Sequence, residues 1–168
     1  MADLSRPRPL EQDDEREAFD CGQPSLDAWF RRNAWRNQQS GVSRTTVIAD
    51  ADGMVAGYVS LSTGEIRRDV LSKPRRRNMP DPVPVFLLGQ LAVDRKWQGE
   101  GLSSVLMSHA ILTVLRAWES VGAYALLTHP VDAPARRYYD RRGFSALAGD
   151  ARGAMILRLR DLAQSVDP

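Results

Sequence analysis

The sequence predicts one α/β (α+β) domain, a single mixed central sheet flanked by helices, and three observations carry that prediction. The 168 residues suffice for one domain with a sizeable core and are too few for two. Hydrophobic residues at 43% and charged residues at 26% are the balance of a folded, water-soluble chain. The periodic segments run helix, two alternating strands, then strand, helix, strand, helix, strand, an order that is neither all-helical nor all-β. The chain 1–168 is taken as that domain, with 1–14 and 162–168 as flexible ends.

The first helix is expected over Leu26–Gln39, with Ser25 as its candidate N-cap and Ser40-Gly41 as its stop. Leu26, Trp29, Phe30 and Ala34 fall at helical spacing for a buried face. Thr45–Ala49 and Val55–Ser62 read as strands joined by the hairpin signal Asp50-Ala51-Asp52-Gly53. A basic loop of 20 residues, Glu65 to Pro84, follows with four prolines, and loops of that length tend to be functional. Val85–Val93 is an aliphatic strand. Gly101 to Trp118 is a helix, apolar at Leu102, Val105, Leu106, Leu112 and Leu115. Tyr124–Leu127 is a short buried strand. Asp132 caps a further helix with Pro134 in its first turn and Gly143 as its stop, and Ala154–Leu159 is the last strand.

Composition excludes several classes of function. No apolar run approaches the ~18 residues of a membrane span. The acidic first 20 residues hold no apolar block behind a basic start, and Cys21 is the single cysteine, so a cytoplasmic protein without disulfides is expected. No His/Cys set stands at metal-ligand spacing, and no metal is expected. The net charge of +2 hides an asymmetry: residues 1–64 carry 7 basic and 10 acidic side chains, residues 65–168 carry 16 and 11. Arginines cluster at Arg75, Arg76 and Arg77 and again at Arg136, Arg137, Arg141 and Arg142. Guanidinium groups bind phosphates in bidentate fashion, which suggests a docking surface, although a solvated loop and helix face would look the same.

Gln98-Gly99-Glu100-Gly101-Leu102-Ser103-Ser104 lies where a strand passes into a helix. Glycines there let a phosphate approach the backbone, and the helix N-terminus favours the anion. Two glycines also make an ordinary tight turn. A P-loop would need a lysine after Gly101, and a dinucleotide fingerprint would need glycine or alanine where Ser104 stands. A pyrophosphate loop for acetyl-CoA is the third option.

Leu91-Ala92-Val93-Asp94 followed by Gln98-Gly99-Glu100-Gly101-Leu102 resembles motif A of the GNAT N-acetyltransferases, with Lys96 in place of the family's leading Gln or Arg. Ala135-Arg136-Arg137-Tyr138-Tyr139-Asp140-Arg141-Arg142-Gly143-Phe144 resembles the family's motif B. Arg76–Val85, Leu88–Asp94, Phe19–Trp29 and Gln38–Gly41 are similar to the acetyltransferase toxins of bacterial toxin–antitoxin pairs. The resemblance implies the GNAT fold, with acetyl-CoA as acetyl donor bound at the splay between the two central strands. It implies cofactor contacts from Leu91, Ala92, Val93, Lys96, Gln98, Gly99, Glu100, Gly101, Leu102 and Ser103, and from Asp132, Ala135 and Tyr138. The Val93 N–H would meet the thioester carbonyl, and Tyr139 would protonate the coenzyme A sulfur as general acid.

The subfamily acetylates the α-amino group of aminoacyl-tRNA and blocks translation, is neutralised by a ribbon-helix-helix antitoxin, and usually forms homodimers. That reading gives the arginines work: Arg75, Arg76 and Arg77 first, then Arg36, Arg44, Arg136 and Arg142, would contact tRNA phosphates. Trp35 would stack on a base or pack partly buried. Val85–Val93 contains Gln90 and no acid to serve as base. A lysine amine near ~10.4 needs such a base, whereas an α-amine near ~7.7–8 is already partly neutral. Glu65 and His129 are the remaining candidates for proton transfer, and His109 reads as structural. A GNAT acetylating a small amine or a protein N-terminus is the alternative enzyme, and an interaction module without turnover is the alternative without chemistry.

Overall fold

The computed structural model describes residues 3–166. In chain order the strands are β1 (Arg8–Pro9), β2 (Arg44–Ala49), β3 (Val55–Ile66), β4 (Val83–Val93), β5 (Ala125–Thr128), β6 (Ser145–Ala146) and β7 (Met155–Arg158). The α-helices are α1 (Pro24–Trp29), α2 (Trp35–Ser40), α3 (Lys73–Arg76), α4 (Leu102–Trp118), α5 (Ala133–Arg141) and α6 (Leu159–Val166). The strands form one mixed seven-stranded sheet in the order β1-β2-β3-β4-β5-β7-β6. By contact the chain divides into two compact units: the chain up to Ser62 with Leu88–Thr113, and Thr63–Leu87 with the chain from Val114.

In the first unit β2 runs antiparallel to β3 with Val47 opposite Tyr58, and β1 adds to β2 with Arg8 opposite Val47. Tyr58 is the centre of its core. The ring is fully buried, lies parallel to Phe30 at 4.2 Å and edge-on to Phe19 at 5.4 Å, and its hydroxyl donates to the Leu26 carbonyl at 2.8 Å. Buried Val47, Ala49 and Val55 complete that cluster. The expected first helix is there but interrupted: Phe30–Ala34 winds as a π-helix between α1 and α2. Its start also differs from expectation. Gln23, not Ser25, is the N-cap, because Pro24 suits the first turn and the Gln23 carbonyl accepts from both Leu26 and Asp27 N–H groups.

In the second unit β4 pairs in parallel with β5 at Phe86↔Leu126, as a crossover through a helix requires, and β7 runs antiparallel to β5 and β6. Leu71, Val83, Val85, Leu127, Leu147 and Ile156 are among its buried core. The 20-residue loop is shorter than expected, since β3 continues to Ile66, α3 forms inside the basic run and β4 starts at Val83. Gly149 is required sterically: a Cβ there would lie 2.6 Å from the Val70 carbonyl oxygen.

Further departures follow from packing that local spacing does not report. Of the apolar positions named on α4, Val105 and Leu112 are 45% and 47% exposed, while Leu106 is buried together with Met107, Ala110 and Val114. Residues 1–14, assigned no element, contain β1 and a bidentate ion pair of Arg8 with buried Asp14 at 2.7 and 2.9 Å. The end assigned as flexible, 162–168, overlaps α6, which begins at fully buried Leu159. Residues 1–2 and 167–168 of those two segments lie outside the described residues. Among the described residues no helix is long and apolar enough to cross a membrane, and no cluster of His, Cys, Asp or Glu is suited to a metal.

Candidate active site

The glycine turn is built in the first unit, between β4 and α4. Buried Asp94 organises it. One carboxylate oxygen accepts from the Lys96 N–H at 3.0 Å, the other from the Asp20 N–H at 3.0 Å, and the Asp94 N–H donates to the Ala56 carbonyl at 2.8 Å. Gln98, expected to meet the cofactor, spends its side-chain amide on the carbonyls of Val93 (2.9 Å) and Cys21 (3.0 Å). Gly99 and Gly101 have φ of +84° and +83°, so each occupies backbone space where side chains are strained. A Cβ on either would meet no atom of the protein within 4 Å, so the space above them stays open for a ligand. The Gly101 carbonyl accepts the Val105 N–H at 3.3 Å, which opens a 17-residue helix carrying no acid in its first turn. Leu91, Val93, Leu102 and Ser103 are partly exposed around this turn, Ala92 is buried, and Lys96 and Glu100 are exposed.

Gly57 lets β3 approach this region, since a Cβ there would lie 3.0 Å from Leu106 Cδ1 and 3.2 Å from the Ala92 carbonyl oxygen. Cys21 is no nucleophile. Burial, assisted by the neighbouring Asp27 carboxylate, pushes its thiol up to about 12. His109 Nε2 lies 3.4 Å from Thr46 Oγ1, a structural contact. Trp35 packs against the core with the Arg16 guanidinium 5.9 Å from its ring centroid, the partly buried outcome.

The tyrosine pair is built in the second unit, on α5. Asp132 is the N-cap as expected, its carboxylate accepting the Ala135 N–H at 2.8 Å, and that bond accounts for both residues locally. Tyr139 is buried, edge-on to Tyr138 at 5.4 Å and to Phe144 at 5.2 Å. Burial pushes its phenol up to about 12, against a side-chain hydrogen bond from Thr128 and the charge of Arg142 that act the other way. The phenol therefore holds its proton throughout the physiological range. The Tyr138 hydroxyl is buried and has no hydrogen-bond partner within the protein.

The arginines sort into engaged and open. Arg142 lies over the Tyr138 ring at 3.4 Å and donates to the Tyr138 carbonyl at 3.2 Å, and Arg136 donates to the Gly153 carbonyl at 3.0 Å. Both had been expected to contact tRNA. Arg75 and Arg76 sit on α3 with Arg77 as its C-cap; Arg75 and Arg76 are half-buried, and Arg75 borders a cavity of about 430 Å³ with Ser72, Ser145 and Leu147. Arg36 and Arg44 are exposed in the first unit, Arg44 reaching the Gln38 carbonyl at 3.4 Å. Glu65 is exposed near the end of β3. Burial, with the charge of Arg152, lowers the pKa of His129, whose Nε2 stands 3.9 Å from Asp150. Sequence reading missed Asp94 and the stacking of Arg142; the latter had a signal, since Tyr138 and Arg142 stand four apart at the end of a helix.

An open glycine turn at a helix N-terminus and a buried, protonated tyrosine before Gly143-Phe144 are parts an acyl transferase uses. The sequence model of the acetyltransferase (GNAT) family matches residues 8–144, and the chain belongs to that family. A "tRNA-acetylating toxin" of Mycobacterium tuberculosis is 40% identical over 157 residues, 94% of either chain. A structure described as AtaT complexed with acetyl-methionyl-tRNAfMet is similar at a TM-score of 0.87 and 27% identity, over 97% of this chain and 99% of that one. Another, AtaTR bound with AcCoA, is similar at 0.84 and 27%, over 97% and 98%.

Proposed function

We propose that the protein is an acetyl-CoA-dependent N-acetyltransferase that acetylates the α-amino group of aminoacyl-tRNA and thereby blocks translation. The observation that carries this reading is the near-full-length similarity to a tRNA-acetylating toxin, 40% identical over 94% of the chain. The missing base agrees with it. β4 offers Gln90 and no acid, burial pushes the Cys21 thiol up to about 12, and an α-amine near ~7.7–8 needs the least help to lose a proton.

Bound acetyl-CoA supplies the acetyl thioester, and the open turn over Gly99 and Gly101 fits its pyrophosphate. The N–H groups from Gly99 to Ser103 turn toward that anion at the positive end of α4, with Leu91, Ala92 and Lys96 beside them. The Val93 N–H is a fixed donor for a carbonyl oxygen that gains charge during transfer. Tyr139 holds its proton for the departing thiolate, and Tyr138 beside it is a further cofactor contact. Asp132 and Ala135, at the start of α5, are further cofactor contacts. Arg75, Arg76 and Arg77, with Arg36, Arg44 and Arg136, hold tRNA phosphates. The whole chain works as one catalytic domain in the cytoplasm, as a homodimer, and a ribbon-helix-helix antitoxin neutralises it.

The test is incubation of the purified protein with labelled acetyl-CoA and total charged tRNA, beside deacylated tRNA. Label on charged tRNA alone is expected. Release of free thiol with small amines, and no label on tRNA, would replace this reading with small-molecule acetylation.

A further inference from the structure

The C-terminal turn of α5 converges on the tyrosine pair from three directions. The Tyr139 carbonyl accepts the N–H of Arg142 at 3.0 Å and of Phe144 at 3.1 Å, so the backbone closes over it. Phe144 meets the Tyr139 ring edge-on. Arg142 meets Tyr138 twice: Nη1 donates to its carbonyl at 3.2 Å, and Cζ lies 3.4 Å from its ring centroid. At that separation only a guanidinium lying flat on the ring fits, since 3.4 Å is van der Waals thickness. The two rings stand at 89° and 5.4 Å, so the face of one fixes the edge of the other.

We propose that Arg142 is a positioning residue for acetyl transfer: it clamps Tyr138 by face and carbonyl and, through the perpendicular contact, holds Tyr139 in its reactive orientation. A planar cation is needed for this. Lysine can sit over an aromatic ring but cannot also lie flat on it, and a neutral side chain loses the charge. The charge adds a second effect. Burial makes the Tyr139 phenol a weaker acid, and Arg142 opposes that shift. The inference rests on Tyr139 being the general acid, and it takes Arg142 out of the set of tRNA contacts.

The experiment measures kcat and KM for charged tRNA and for acetyl-CoA in the full chain, with Arg142→Gln and Arg142→Lys, each alone and on Tyr139→Phe. Arg142→Gln is expected to lower kcat about tenfold, with the KM for charged tRNA within about twofold. Arg142→Lys should recover part of that loss, because the charge returns without the plane. On Tyr139→Phe, Arg142→Gln should cost less than about twofold more, since its effect passes through the missing hydroxyl. A thermal melt close to the parent protein's shows that each variant is folded. A raised KM for tRNA at constant kcat, with a weaker salt dependence, would make Arg142 a phosphate contact and overturn the proposal. Equal losses in both backgrounds would overturn it too. If Tyr139→Phe alone keeps full kcat, the assignment of the acid has failed, and the clamp fails with it for that separate reason.

Discussion

Replacing Gly101 by alanine separates what the fold needs from what the ligand needs. The residue has φ of +83°, which costs a side-chain-bearing residue about 1–2 kcal/mol. Alanine recovers about 0.4–1 kcal/mol by restricting the unfolded chain. No protein atom lies within 4 Å of the added Cβ, so packing contributes nothing further. The net loss is about 1 kcal/mol, or roughly 2–4 °C in Tm for a chain of this size. The methyl group nevertheless projects into the space where a pyrophosphate meets the backbone. Acetyl-CoA affinity should therefore fall about tenfold or more, measured by calorimetry beside a thermal melt. Gly57→Ala is the opposite case, because its Cβ would press on Leu106 and on the Ala92 carbonyl, and its cost should appear in Tm at about 1–3 kcal/mol. The reasoning is refuted if Gly101→Ala binds acetyl-CoA as well as the parent protein, for the turn would then be a turn and nothing more.

The other expectations are briefer. Changing Arg75, Arg76 and Arg77 together to glutamine should weaken tRNA binding and reduce the slope of log K against log salt by about 2–3, with the KM for acetyl-CoA unmoved; an unchanged slope sends the phosphate contacts elsewhere. Gly149→Ala should lower stability by about 2–3 kcal/mol, seen as a fall in the denaturant midpoint, because its Cβ would overlap the Val70 backbone. Asp14 is buried, which opposes its ionisation, but hydrogen bonds from Arg8 and the Glu11 N–H hold its carboxyl below the usual range. A depressed pKa stabilises the fold above the unfolded value of about 3.9 and ceases to do so as pH falls through the lower folded value. Asp14→Asn should thus be less stable by about 1–3 kcal/mol at neutral pH and should converge on the parent protein in acid; parallel pH curves would contradict this.

What the chain order reveals locally was legible in it. The glycine turn, the Asp132 cap, the stop at Gly143 and the hairpin over Asp50–Gly53 each depend on residues within a few positions of one another. Asp94 was not legible. Its partner Asp20 stands 74 residues away, and Gln98 reaches Cys21 across 77, so no spacing rule reports either. The same limit explains Val105 and Leu112: they are apolar at helical spacing, but which stripe of α4 is buried depends on what packs against it, and Leu106, Ala110 and Val114 take that place. For the arginines, composition gave the cluster and the structure adds their local contacts: Arg142 stacks on Tyr138, and Arg136 gives one N–H to the Gly153 carbonyl and keeps others for a phosphate.

The distribution of titratable groups predicts the pH dependence of the reaction. The amine must be neutral, so kcat/KM should rise tenfold per pH unit and level off near pH ~7.7–8, the pKa of an α-amino group. Tyr139 must be protonated, and with its phenol pushed up to about 12 no descending limb is expected before the far alkaline range. Nothing on β4 can add an inflection, because Gln90 does not titrate. Cys21, also raised to about 12, stays a thiol across the same range. His129 would report itself below its ordinary value, since burial lowers its pKa. An inflection below the ordinary histidine range that disappears in His129→Asn would make the histidine a working base. A single rise at the amine's own pKa, unmoved by His129→Asn or Glu65→Gln, means that the protein leaves deprotonation to water and puts its chemistry into alignment and the Tyr139 proton.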